Sequence, residues 1–248
     1  MAFVCVVSVS PMRATPSHRS EVVSQLLFGE TLEIIEEEKD GWAKIICTYD
    51  GYEGWITKSH IDEVSTISTP TYAADWINTA KQNGIPLQLP FGSALPTENE
   101  LTTNSFTFEF AEIKRGLPQA FEPEKFLKIA NIFLNTPYQW GGKTVFGIDC
   151  SGYAQQVFKC FGVKLLRDAY LQAEQGEVVG FLQEAKLGDL AFFDNSEGRI
   201  THVGIMLNDH EIIHASGKVR IDKIDTQGIL NTDTGARTHQ LRIIKRVL

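Results

Sequence analysis

The sequence predicts an α+β protein in which one or two small β-barrels precede a domain that mixes helices with strands. Residues 1–63 alternate short apolar runs with turn residues, and no helical period persists through them. Beyond residue 120, two stretches space their apolar residues as helices do, and several strand-like runs follow. A chain of 248 residues is long enough for two or three compact units.

The first region, residues 1–63, is predicted to form one small domain. Turn residues around Gly29, Gly41 and Gly51 separate the candidate strands. We predict these strands at residues 3–10, 22–27, 31–37, 42–47 and 54–57. The order of the Gly29 turn and of the Gly-Trp pairs that contain Trp42 and Trp55 resembles a bacterial SH3-type domain. Filling of a small core is the alternative reading of these tryptophans.

The second region, residues 64–118, is predicted to contain a linker and a shortened second SH3-like unit. Residues 65–71 are polar and β-branched, as in linkers, and residues 73–82 are expected to form a short helix that Asn83-Gly84 ends. Residues 89–95 echo residues 26–32 at a shift of 63 residues, and residues 106–110 alternate like a strand. A β-rich connector with a chance echo stays open as the alternative.

The third region, residues 119–248, is predicted to carry the chemistry. Helices are expected at residues 123–135 and 151–160. Strands are expected at residues 189–193, 202–207, 211–214 and 242–247. Cys150 then lies at a helix N-terminus, and His202 and His214 lie on two adjacent strands.

Cys150, His202 and His214 supply a nucleophile, a base and a group that orients the base. The helix N-terminus and a neighbouring imidazolium are expected to lower the thiol pKa below its ordinary value of about 8.5. Antiparallel pairing of the two strands would bring the imidazoles together at one edge of the sheet. Cys160, late in the same helix, is expected to be a packing residue.

The motifs of residues 120–248 together resemble the NlpC/P60 family of cell-wall peptidases, which has a papain-like fold. The resemblance implies that Cys150 is the nucleophile, His202 the general base and His214 the orienting residue. It also implies that the Cys150 N–H and the Tyr138 hydroxyl donate to the oxyanion. The blocks that carry the resemblance are Thr136-Pro137-Tyr138-Gln139-Trp140-Gly141-Gly142, Gly147-Ile148-Asp149-Cys150-Ser151-Gly152, Leu166-Arg167-Asp168 with Gln172, Leu187-Gly188-Asp189-Leu190 with Phe193, His202-Val203-Gly204-Ile205 and Ile213-His214-Ala215.

An SH3-type domain ahead of such a domain resembles the γ-D-glutamyl-L-diamino acid endopeptidases of murein recycling. These enzymes cleave murein-derived peptides that have a free N-terminal L-Ala, which requires a carboxylate to bind the ammonium group. The resemblance assigns this carboxylate to Asp168 and assigns an acid and a tyrosine of the SH3 domain to Glu21 and Tyr52. Ser151 is expected to bind the substrate backbone or to cap its helix, and Arg167 to hold Asp168 or the D-Glu carboxylate.

Composition restricts the partners. A net charge of −8 argues against nucleic-acid binding, and the four cysteines form no C-x-x-C pair, so neither a metal site nor another cofactor is expected. The N-terminal apolar run is too short to span a bilayer and has no preceding Lys or Arg, so we expect a cytoplasmic protein without membrane contact. A monomer is expected, and the oligomeric state stays open. The rival interpretations are a secreted hydrolase of intact peptidoglycan with SH3 units that bind the wall, and a non-catalytic protein that binds murein peptides.

Overall fold

The computed structural model describes residues 2–38, 40–65, 71–116 and 118–248, and most of the linker predicted at residues 65–71 lies outside these ranges. The chain divides into two compact units. The first comprises Met1–Pro118 with Trp140–Val145, and the second comprises Gln119–Gln139 with Phe146–Leu248. Among the described residues, no helix has the length and apolar character needed to cross a membrane.

The first unit begins with an antiparallel sheet of seven strands within the described residues, in the order β3-β2-β6-β5-β4-β1-β7. The predicted strands 22–27, 31–37 and 42–47 are confirmed, whereas the predicted strand 3–10 is two strands. It divides because its first half pairs with β4 and β7 and its second half with β3 and β6. The strands are β1 (Ala2–Cys5), β2 (Val9–Arg13), β3 (Val22–Leu27), β4 (Thr31–Glu37), β5 (Trp42–Cys47), β6 (Glu53–Thr57) and β7 (Ile61–Val64).

Residues 71–116 are strands and turns, and the helix predicted at residues 73–82 is wrong. Asn83 and Gly84 have φ values of 49° and 80°, so they form the turn of a hairpin rather than a helix end. Gln82 pairs with Ile85 across this turn. The strands are β8 (Thr71–Ala73), β9 (Ile77–Gln82), β10 (Ile85–Pro90), β11 (Ala94–Leu95), β12 (Glu100–Thr102), β13 (Thr107–Glu109) and β14 (Arg115–Gly116).

The sequence echo corresponds to two turns of the same conformation. Gly29 and Gly92 both adopt left-handed φ values, 77° and 82°. The Gly29 N–H donates to the Cys5 carbonyl and the Gly92 N–H to the Ala73 carbonyl, each at 2.9 Å. Side chains from both halves of the unit share one apolar cluster, in which Phe28 contacts Phe108 with ring centroids 4.9 Å apart. A second SH3-like unit at residues 64–118 stays a prediction.

Trp140–Val145, which contains β15 (Lys143–Thr144), is anchored within the first unit. The Lys143 N–H donates to Gln25 Oε1 at 2.7 Å, and Lys143 Nζ lies 3.3 Å from Glu30 Oε2. Both members of this ion pair are buried, with side chains 1% and 3% exposed. Gly141 is required because a Cβ there would lie 2.3 Å from the Val22 carbonyl oxygen.

In the second unit, six strands close into an antiparallel barrel, because Leu190–Asp194 pairs with both Ile200–Met206 and Arg237–Arg246, and Gly228–Leu230 also pairs with Arg237–Arg246. Its apolar interior includes Phe193, Met206, Ile212 and Ile224. The elements of this unit are α1 (Pro123–Ile132), β16 (Gly147–Ile148), α2 (Cys150–Lys159), α3 (Ala169–Gln172), β17 (Glu177–Val179), β18 (Leu190–Asp194), β19 (Ile200–Met206), β20 (Glu211–Ser216), β21 (Lys218–Asp225), β22 (Gly228–Leu230) and β23 (Arg237–Arg246).

Candidate active site

Asp149 caps the helix that carries Cys150. Its side chain accepts a hydrogen bond of 2.7 Å from the Gly152 N–H, and its extended backbone lets its carbonyl accept the first helical bond, from Tyr153. The helix therefore begins at Cys150, one residue before the predicted start. The cap is Asp149 and not Ser151, which corrects one of the two roles expected for Ser151.

Arg167 is almost completely buried and binds the same cap. Its guanidinium donates to both Asp149 oxygens, one of these bonds being 3.0 Å long, and to Ser151 Oγ at 2.9 Å. The Ser151 carbonyl accepts a further bond from Gln172 Nε2 at 3.1 Å. This buried network fixes the turn that leads into Cys150. Substrate binding by Ser151 and Arg167 stays a prediction.

Cys150 lies near the main chain of the strand that carries His202. The Cys150 thiol sulfur accepts a hydrogen bond from the N–H of Val203, the residue after His202, and another from the Ser151 N–H. Burial raises the pKa of the Cys150 thiol to about 12, and the Asp149 charge adds to the rise. The lowered pKa expected from the sequence is therefore wrong, because desolvation outweighs the two N–H bonds and the charge of Arg167.

His202 and His214 come together on the inner face of the barrel. His202 Nε2 lies 2.8 Å from His214 Nδ1, and both rings are buried. Since side chains alternate along a strand, His202 shares its face with Met206, and His214 shares its face with Ile212. The predicted closeness of the two imidazoles is confirmed. Burial lowers the pKa of His202 well below its ordinary value, and the neighbouring histidines lower it further.

Asp222 continues this row of polar side chains onto the next strand and was not found from the sequence. Its Oδ2 lies 3.0 Å from His214 Nε2, and Arg220 binds both of its oxygens at 2.8 and 2.9 Å. The Thr232 N–H donates to Oδ1 at 2.8 Å. Burial alone would raise the pKa of Asp222, but the bonds from His214 and Arg220 hold it well below its ordinary value. The β-branched residues Val219, Ile221 and Ile224 are the signal that could have indicated this strand.

His239 was also missed. Its ring stacks on that of His202, with centroids 4.1 Å apart and an angle of 26° between the planes. It comes from β23, whose start at Arg237 lies five residues before the predicted start at residue 242. Burial lowers the pKa of His239 to about 4, and His214 lowers it further while Asp222 opposes the change. His239 is therefore a neutral ring against the neutral ring of His202 at pH 7.

Tyr138 is half-buried, and its backbone bridges to Ile148, two residues before Cys150. Burial raises the pKa of the Tyr138 hydroxyl strongly, and Cys150 and Asp149 contribute to the rise. The phenol therefore keeps its proton over the whole physiological range and is able to donate a hydrogen bond.

The predicted recognition residues occupy different units. Asp168 is half-buried at the N-cap of α3, where its carbonyl accepts the Leu171 and Gln172 N–H groups at 3.0 Å. In the first unit, Glu21 Oε1 accepts a bond of 2.6 Å from the Trp140 indole N–H. Tyr52 packs at the edge of the apolar cluster of the first sheet. Substrate binding by Asp168, Glu21 and Tyr52 stays a prediction.

Comparison with known proteins gives two matches along the chain. Residues 135–238 match the NlpC/P60 family, and residues 12–61 match the bacterial dipeptidyl-peptidase SH3 domain. A gamma-D-glutamyl-L-lysine dipeptidyl-peptidase of Bacillus subtilis is 31% identical over 78% of this chain and 72% of its own. Dipeptidyl-peptidase 6 of Lysinibacillus sphaericus is 25% identical over 92% of this chain and 93% of its own.

A solved structure has the same fold over the full length of the chain. It is that of an NlpC/P60 family protein from Bacillus cereus, with a TM-score of 0.83 and 18% sequence identity, and it covers 100% of both chains. The likeness includes the SH3-type region as well as the region that carries Cys150.

Proposed function

Because the chain belongs to the NlpC/P60 family of cysteine peptidases and carries a bacterial dipeptidyl-peptidase SH3 domain, we propose that it is a γ-D-glutamyl-L-diamino acid endopeptidase. Its substrates would be murein-derived peptides with a free N-terminal L-Ala, which it would cleave after D-Glu. The proposal rests mainly on relatives that are named gamma-D-glutamyl-L-lysine dipeptidyl-peptidases and that match 90% and 78% of this chain. A papain-like fold of the second unit and a cytoplasmic role in murein recycling belong to the same proposal, and cell fractionation tests the location.

In the proposed mechanism, Cys150 attacks the carbonyl carbon of the D-Glu side chain. Both partners are neutral at pH 7, since the pKa of Cys150 is raised to about 12 and that of His202 is lowered. His202 therefore takes the thiol proton as the carbon–sulfur bond forms, rather than before the substrate arrives. It then returns this proton to the leaving amine, and water hydrolyses the acyl enzyme.

His214 is the orienting residue of this mechanism. Its Nδ1 lies 2.8 Å from His202 Nε2, which holds the His202 ring and leaves Nδ1 of His202 for the thiol proton. The protonated phenol of Tyr138 and the Cys150 N–H would donate to the oxyanion of the tetrahedral intermediate. We keep Asp168 as the acceptor of the substrate ammonium group, with Glu21 and Tyr52 as contributors from the SH3-type domain.

The decisive experiment offers L-Ala-γ-D-Glu-diamino acid peptide and its N-acetylated form to the purified protein. We expect cleavage of the free peptide and at least about 100-fold slower cleavage of the acetylated form, because an amide leaves the recognising carboxylate unpaired. Comparable rates on the two peptides would remove Asp168 from its role. Preferential release of fragments from intact peptidoglycan would favour the secreted wall hydrolase.

Two cysteine variants test the nucleophile in the same assay. Cys150→Ala should abolish cleavage, whereas Cys160→Ala at the end of the same helix should retain it. Cys160 is the matched control because, within the part of the chain that the structure describes, its sulfur donates to the Gln156 carbonyl of its own helix, away from both histidines. An active Cys150→Ala protein would contradict the proposed mechanism.

A further inference from the structure

The proposed mechanism does not use Asp222, the third member of the buried polar row. We propose that Asp222 is a positioning residue that fixes the protons of both histidines, so that Nδ1 of His202 is left unprotonated to accept the thiol proton. The contacts that carry this inference are His202 Nε2 to His214 Nδ1, 2.8 Å, and His214 Nε2 to Asp222 Oδ2, 3.0 Å. The inference rests on the proposed peptidase function.

The donors around Asp222 determine the direction of these bonds. Arg220 and the Thr232 N–H can only donate, and together they supply three hydrogen bonds to the two carboxylate oxygens. Arg220 Nη1 also lies 3.0 Å from Asp233 Oδ2. Asp222 and Asp233 therefore share the charge of one guanidinium group. These contacts keep Asp222 ionised, and an ionised carboxylate only accepts.

The proton positions then follow one after another. His214 Nε2 must carry a hydrogen to donate to Asp222, so a His214 ring with a single hydrogen has its lone pair on Nδ1. His202 Nε2 must therefore carry a hydrogen to donate to His214 Nδ1. The neutral ring of His202 has one nitrogen left, Nδ1, and it is the basic one. This nitrogen is adjacent to the main chain at His202, where the next N–H, that of Val203, contacts Cys150.

The number of hydrogen-bond donors around Asp222 also predicts the effect of an asparagine side chain at position 222. Asparagine offers one acceptor oxygen and one NH₂ donor. On the Oδ1 side, the NH₂ would face two obligatory donors, Arg220 and the Thr232 N–H. On the Oδ2 side it would face one obligatory donor and His214, whose tautomer can change. The NH₂ group therefore prefers the His214 side, where it donates to His214 Nε2. His214 Nδ1 then donates to His202 Nε2, so the hydrogen of the neutral His202 ring lies on Nδ1.

The test compares Asp222→Asn with Asp225→Asn, a substitution on the same strand that removes an exposed pair with Arg237 and touches neither histidine. We expect Asp222→Asn to lower kcat by about 10²-fold, the lower end of what general base catalysis contributes, with KM unchanged. Asp225→Asn should have wild-type kinetics. Asp222→Ala should lose less than Asp222→Asn, because alanine presents no amide hydrogen to His214. A purely structural role predicts the reverse order, since asparagine preserves the volume, and that order would overturn the proposal.

A measurement on a protein whose barrel strands are unchanged tests the inference even if the Asp222 variants do not fold. In Cys150→Ala protein with ¹⁵N-labelled histidine, NMR should show His202 and His214 as neutral rings with hydrogen on Nε2. A hydrogen on Nδ1 of His202 would refute the inference whether or not the protein cleaves the peptide. Failure of wild-type protein to cleave the peptide would instead refute the proposed function and leave the tautomers as an independent result.

Discussion

His239 shows how a residue outside every recognised motif is governed by its surroundings. Its ring contacts that of His202, at a centroid distance of 4.1 Å, and that of Phe193, at 5.9 Å. Burial lowers the pKa of His239, His214 lowers it further, and Asp222 opposes the change only in part, so the ring stays neutral at pH 7. Reasoning from the sequence could not find this, because it depends on the strand register that closes the barrel.

The lowered pKa of His239 makes stability depend on pH. The unfolded chain binds a proton at this residue below about pH 6.5, whereas the folded chain binds it only near pH 4. Stability therefore falls as the pH falls through this window, and His239→Gln should make the fall shallower. Urea unfolding at pH 7, 6, 5 and 4.5 measures the free energy of unfolding of the wild-type and His239→Gln proteins. Asp222 loses its contribution only below its ordinary pKa of 3.8, outside these pH values.

His210→Gln is the control for this experiment. His210 is exposed in the turn before β20, where it pairs with Asp209 and contacts no other histidine ring among those described. Its unfolding curves should follow those of the wild-type protein at every pH. Equal pH dependence in His239→Gln and wild-type protein would contradict the assigned cause.

At the level of elements, the sequence predicted strands well where apolar residues alternate between two turn residues. Three strands of the first sheet have the predicted bounds, because a glycine turn lies at one end or both ends of each of them. The error at residues 73–82 came from Asn83-Gly84, which ends helices and also forms hairpin turns. The motifs singled out Cys150, His202 and His214, and the predicted closeness of the two imidazoles is confirmed. Asp222 and the burial that raises the pKa of Cys150 follow only from tertiary packing.

The segment Trp140–Val145 provides a prediction about the first unit. Lys143→Met leaves Glu30 buried without its cation, which should lower the free energy of unfolding by about 3–5 kcal/mol. Lys44→Met, which removes an exposed pair with Glu53, should change it little. Equilibrium denaturation measures both effects. The double variant Lys143→Met with Glu30→Gln should recover part of the loss, and no recovery would mean that the ion pair is not the cause.

Across the whole molecule, the chain passes from the first unit to the second after Pro118, returns for Trp140–Val145 and leaves again before Phe146. The sequence could not reveal this return, because the block Thr136–Gly142 resembles the catalytic family throughout. The contacts explain it: Glu21, Gln25 and Glu30 of the first unit bind the indole, the backbone and the ammonium group of this segment. Only four residues, 146–149, separate the segment from Cys150.

This arrangement predicts that residues 119–248 alone form a poor enzyme, even on a small soluble peptide. The fragment keeps Cys150, His202, His214 and Asp222 but lacks the partners of Trp140 and Lys143. Its kcat/KM on the free peptide should fall at least about tenfold and its melting temperature should fall, because the turn before Cys150 loses its anchor. The full chain serves as reference, and the full chain with Cys150→Ala gives the background rate.

If the SH3-type region were only a module that binds the cell wall, the fragment would cleave the soluble peptide as fast as the full chain. Equal rates would therefore favour the wall-hydrolase interpretation, and a loss in the fragment would show that the first unit contributes to cleavage, either through the anchor of the turn before Cys150 or through Glu21 and Tyr52.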